Sequence, residues 1–104
     1  MDHCLVYITA ASREEAHMLA KILVEERLAA CANVLGDIRS FFRWEGEARD
    51  DGEVSLIAKT RTAVLERLTA RVVEMHSYDC PCVVALPIVG GHAPFLSWIE
   101  DETR

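Results

Sequence analysis

Apolar and polar residues follow two periods along the chain, and the switches between them mark the elements. Residues 4–10 are short, mostly apolar and partly β-branched, the pattern of a buried strand. Ser12 is followed three residues on by Glu15, a capping-box spacing that starts a helix. Behind it Ala16, Leu19, Ala20 and Leu23 recur at i, i+3, i+4 and i+7 and give one apolar face. Lys21 and Glu25 form an i,i+4 pair on the outer side. The run Leu28-Ala29-Ala30-Cys31-Ala32-Asn33 is small and apolar, which predicts a tight, close-packed helix-to-strand corner. From Ile38 to Trp44 the chain reads as strand, with Ile38, Phe42 and Trp44 on one face. Gly46 to Gly52 is polar and acidic and reads as a hairpin loop. Val54, Leu56 and Ala58 then alternate with Ser55, Ile57 and Lys59 as a third strand.

A second helix is predicted over about 62–76, with Leu65, Leu68, Val72 and Met75 on its buried face. Residues 82–89 form a fourth, nearly all-apolar strand. Pro81 precedes it and Pro87 falls near its end, which points to an edge or a bulge because proline lacks a ladder donor. Gly90-Gly91 breaks the pattern, and 93–101 reads as a short terminal helix carrying Phe95, Leu96 and Trp98. The order βαββαβ plus a last helix predicts an α+β, ferredoxin-like sandwich with a long central hairpin, one domain over residues 1–104.

Composition adds one demand to this picture. Hydrophobic residues make up 51% of a 104-residue chain, yet so short a chain buries only about two-thirds of its unfolded surface. No run approaches the length of a membrane span. Two helices would cover one face of the sheet and leave apolar residues of strands 54–60 and 82–89 on the other. Self-assembly is the expected outlet. The formal net charge of −6 argues against a nucleic-acid partner. The start, Met1-Asp2-His3, has no basic n-region, and four irregularly spaced cysteines make no disulfide framework. A cytoplasmic protein with reduced thiols is expected.

Candidate chemistry is sparse. Cys80 and Cys82 lie two apart, so in an extended segment their thiols share a face, and His76 precedes them at a helix-to-strand junction. Thiolate with imidazole suits Cu(I) or Zn, although three ligands are one short of a closed zinc site. The alternative is structural: two small buried thiols and a histidine at the helix C-terminus. Glu47, Asp50, Asp51 and Glu53 crowd the hairpin and read as a solvated loop, with a weak hard-cation site as the alternative. Ser12, Ser40, Ser55, Ser77 and Ser97 lie in no nucleophile elbow, and no phosphate-binding glycine loop is present. No catalytic residue is assigned and a non-enzymatic protein is expected.

Several segments taken in order resemble the divalent-cation-tolerance CutA family. They are Tyr7 to Ala10, Leu28 to Asn33, Trp44-Glu45-Gly46, Leu56 to Thr60, His76-Ser77-Tyr78 with Pro81, Leu86-Pro87-Ile88 and Leu96-Ser97-Trp98. The resemblance implies a very stable homotrimer, a link to copper and other divalent ions, and a likeness in architecture to PII-type signalling trimers. It also implies that Trp44, Lys59 and Tyr78 lie near a cleft between subunits. From this comes a second functional expectation, a signalling or scaffold trimer holding a small anionic ligand at that cleft, with Lys59 as its cation. Two departures stand out. Ser77 and Cys82 replace a proline and a glutamate of the family pattern, and Ile8 stands where some members carry a cysteine tied to metal.

Overall fold

The computed structural model describes residues 2–104. In chain order it comprises β1 (His3–Ala10), α1 (Arg13–Glu25), β2 (Cys31–Trp44), β3 (Glu47–Arg61), α2 (Leu65–Met75), β4 (Val83–Ile88) and α3 (Ala93–Glu102). A 3-10 turn over Thr62–Val64 leads into α2. The strands make one antiparallel sheet in the order β2-β3-β1-β4. This is the expected ferredoxin-like α+β arrangement.

The pleat sorts side chains between two faces. Val6, Ile8 and Ala10 of β1 and Val54, Leu56 and Ala58 of β3 are buried with Leu19, Leu23, Leu68 and Val72 of α1 and α2, which forms the core. The alanine-rich corner is packed where expected, with Leu28, Ala29 and Ala30 buried. Thr60, itself fully buried, donates its hydroxyl to the Leu28 carbonyl at 2.7 Å and pins the corner to β3. Cys31 is not part of that packing. It is half-buried, opposite Lys59 in the ladder, with its Sγ 3.6 Å from the lysine Nζ.

The other face carries the partners in register Leu5, Lys59 and Leu86, then Tyr7, Ile57 and Val84. Val84 and Leu86 stay more than half exposed. Helix α3 and its C-cap reach the His3 and Arg61 end of the sheet, where Glu100 bonds His3 and Arg61 donates to Thr103. Pro87 sits in β4, an edge strand paired with β1 alone, where its missing donor costs nothing.

The hairpin departs from expectation. Strand β2 starts at Cys31 rather than Ile38, and β3 starts at Glu47, so the stretch 47–52 is ladder and not loop. The turn is only Glu45-Gly46, with φ of 51° and 80°. Two positive φ values in a two-residue connection are what a type I′ hairpin turn requires. A bulge between Val34 and Gly36 shifts the phase of β2. The hairpin draws the molecule out to 44 Å along its long axis, against 25 and 22 Å across.

Candidate functional site

Residues 41–52 of the hairpin are all exposed, because they lie past the reach of the helices. Where the hairpin leaves the core, it and the 76–82 segment enclose a cleft of about 450 Å³. From β2 come Ser40, Phe42 and Trp44 of one face, joined by Arg43. Asp51 and Glu53 come from β3, Thr9 from β1. Tyr78, Asp79, Cys80 and Cys82 close the far wall.

That far wall is held by two residues. Helix α2 stops at Met75, and His76 turns extended with φ −74° and ψ 146°. Its buried ring donates from Nε2 to the Thr9 carbonyl at 2.8 Å and accepts the Tyr78 backbone N–H at Nδ1 at 3.1 Å. These partners define a neutral imidazole with the proton on Nε2. Glu15 is the second anchor. Its carboxylate accepts the Ser77 N–H at 2.8 Å, the Ser77 hydroxyl at 3.1 Å and the Ala11 N–H at 2.9 Å. Ser12 caps α1 as its spacing predicts, accepting from the Glu15 N–H at 3.1 Å.

Across the cleft the Tyr78 hydroxyl donates to Glu53 at 3.0 Å. Burial, and then the Glu53 carboxylate, push the phenol up to about 12. The Cys82 thiol is pushed up as well, by burial first and by Glu53 second, against a lowering hydrogen bond with Thr9. Asp50 turns to Arg39 at 2.7 Å, and Glu45 and Glu47 to Arg49 at 3.7 Å. The hairpin carboxylates are therefore divided, and among the described residues Asp51 and Glu53 are those of the hairpin that line the cleft.

The expected sets are rearranged. Cys80 and Cys82 share the cleft, but His76 does not join them as a donor, because both of its nitrogens are engaged by backbone. Among the described residues no three His, Cys, Asp or Glu side chains converge on a point where they would hold a metal ion. Trp44 and Tyr78 line this cleft within one chain, whereas Lys59 does not. It donates to Asn33 Oδ1 at 2.7 Å, six residues and about 20 Å along the strand from Glu53. Three carboxylates against one guanidinium, itself donating to the Gly46 carbonyl, make the cleft unfit for an anion. That charge balance does not favour the anionic-ligand reading. Thr9, Ser40, Phe42, Asp51 and Glu53 were not singled out as cleft residues. The two-residue turn at Glu45-Gly46 was the signal, since it sets Asp51 opposite Ser40 in the ladder that carries Phe42 and Trp44.

A family model described as CutA1 divalent ion tolerance protein matches residues 4–102. The chloroplastic protein CutA of Arabidopsis thaliana is 46% identical over 100 residues, covering 96% of this chain and 55% of its own. The divalent-cation tolerance protein CutA of Thermus thermophilus is 44% identical over 99 residues, covering 95% of this chain and 96% of its own. A solved structure described as the periplasmic divalent cation tolerance protein CutA from Archaeoglobus fulgidus superposes with a TM-score of 0.94 at 44% identity. It covers 98% of this chain and 99% of that one. The chain spans about half the length of the Arabidopsis relative and nearly all of the other two.

Proposed function

Because the chain belongs to the CutA1 divalent ion tolerance family, we propose that it is a non-catalytic divalent-cation tolerance protein, a homotrimer whose cleft takes up a soft cation on the Cys80 and Cys82 thiolates. One observation carries the reading: the cleft wall holds two thiols among three carboxylates, with Arg43 the lone cation lining it among the described residues. The carboxylates attract a cation into the mouth and the thiols select it. Copper as Cu(I) is favoured over zinc, since two thiolates leave a closed zinc site two ligands short. The trimer is supported by the exposed apolar side chains of the open sheet face and by unpaired edges at β2 and β4. The number three rests on the family resemblance. We place the protein in a reducing compartment, the cytoplasm, where free thiols persist.

Competition for Cu(I) between the reduced protein and a coloured chelator tests the site. Wild type is expected to withdraw copper, and a Cys80→Ser, Cys82→Ser double variant to lose that ability. Since burial keeps the Cys82 thiol protonated at neutral pH, copper must displace its proton, and affinity should rise with pH. Equal competition by the two proteins, or an affinity that does not change with pH, would remove the thiols from the account.

A further inference from the structure

Thr9 lines the cleft from β1, yet it is only 7% exposed within a single chain. Its surroundings are therefore set inside the subunit and not by whatever covers the hairpin. Ladder register places it. Ile8 pairs with Val83 of β4, and continuing that register one step puts Thr9 opposite Cys82. Both line the cleft, and the Thr9 hydroxyl shares a hydrogen bond with the Cys82 thiol. The Thr9 carbonyl is fixed separately, by the His76 Nε2–H at 2.8 Å. The same ring accepts the Tyr78 N–H at 3.1 Å, at the start of the segment that carries both cysteines. One buried side chain, His76, thus sets β1 and the thiol wall against each other. A β-branched side chain suits this strand position, but valine would meet that need without burying a hydroxyl. It is the hydroxyl that calls for a reason.

We propose that Thr9 is the positioning residue of the thiol site, its hydroxyl donating to the Cys82 sulfur and so directing the remaining lone pairs of that sulfur at the metal. This role rests on the proposed uptake of Cu(I) by Cys80 and Cys82 and adds a residue to it. A thiolate that binds a metal keeps excess negative charge, and a hydroxyl donor fixed beside it offsets part of that charge. Outer partners of this kind are typically worth about 10–100-fold in metal affinity. The contact lies within one chain and is buried there, so it persists in any assembly that keeps the subunit fold.

Thr9→Val removes the hydroxyl at nearly constant shape, and Thr9→Ser keeps it. Chelator competition on the intact reduced protein should show Cu(I) held about tenfold more weakly by Thr9→Val than by wild type, with Thr9→Ser close to wild type. The thiolate-to-copper ultraviolet band should move to longer wavelength in Thr9→Val alone, because a sulfur relieved of its donor gives up charge more easily. In a Cys82→Ser background Thr9→Val should cost nothing further, since Thr9 acts through that sulfur. The contact is also read without metal. The Cys82 S–H infrared stretch, identified by its loss in Cys82→Ser, should shift in Thr9→Val and return in Thr9→Ser. Unchanged Cu(I) affinity in Thr9→Val, or an S–H stretch that does not move, would overturn the role of Thr9 and leave the copper reading standing. Equal competition by wild type and Cys80→Ser, Cys82→Ser would remove the copper reading itself and the role of Thr9 with it.

Discussion

At the residue scale Glu15 does two jobs that lie far apart in the chain. One is local, accepting the Ala11 N–H at the start of α1. The other ties down Ser77, 62 residues away, and with it the wall of the cleft. Burial alone would raise this carboxyl. The hydrogen bonds from Ala11 and Ser77 outweigh it and hold the group below the ordinary carboxylate value. A lowered folded-state value means stabilisation that is complete above the ordinary value of 4.5 and is lost as pH falls through the lower one. Glu15→Gln should therefore destabilise the fold by about 1–3 kcal/mol at neutral pH. Urea unfolding at neutral and strongly acidic pH should show that gap closing in acid. Tyr78 works at the other extreme. Its raised value means a contribution that is complete below 10 and is lost as pH rises towards about 12. Ultraviolet titration should show a late phenolate step that Tyr78→Phe removes. The cap at Ser12 was legible because capping is encoded by local spacing. The engagement of His76 was not, because a histidine near two cysteines reads as a ligand until the fold brings the Thr9 carbonyl onto its ring.

At the element scale the helices and the inner strands were legible, since each buries one face and so carries a period. The outer hairpin carries none. Beyond the core both of its faces meet water, so burial selects nothing and the charged run after Gly46 looks like a loop. The beginning of β2 was hidden for another reason. The bulge between Val34 and Gly36, where Gly36 has a φ of 126°, moves the alternation by one residue and breaks the period that a strand reading depends on. The turn makes its own prediction. Glu45 sits at a φ of 51°, which asparagine tolerates far better than glutamate. Glu45→Asn should stabilise the chain by about 0.5 kcal/mol, and Gly46→Ala, at a φ of 80°, should destabilise it by about 1 kcal/mol or more. Thermal unfolding of the two variants checks the pair of opposite signs. Two shifts in the same direction would mean that the hairpin turn does not control its stability.

For the whole molecule the question is what covers the open side of the sheet. Leu35, Val84 and Leu86 stay 59%, 54% and 59% exposed, and the hairpin reaches out with Phe41 at 78% exposure. A small protein that left these side chains in water would be prone to open-ended association through its edge strands. The proposed closure into a ring by head-to-tail contacts would cover them and end the growth. Leu86→Asp should then weaken assembly strongly while leaving the subunit fold intact, since Leu86 lies outside the buried core. Trp44→Ala should loosen the assembly more than it perturbs the fold. Assembly and cation uptake together form the central claim, and native mass spectrometry of the reduced protein with Cu(I) reads both at once. The account expects three chains of 11.6 kDa in one particle that persists on dilution, with copper bound in each subunit of wild type and absent from Cys80→Ser, Cys82→Ser. A monomer at every concentration, or equal copper in wild type and variant, would contradict it.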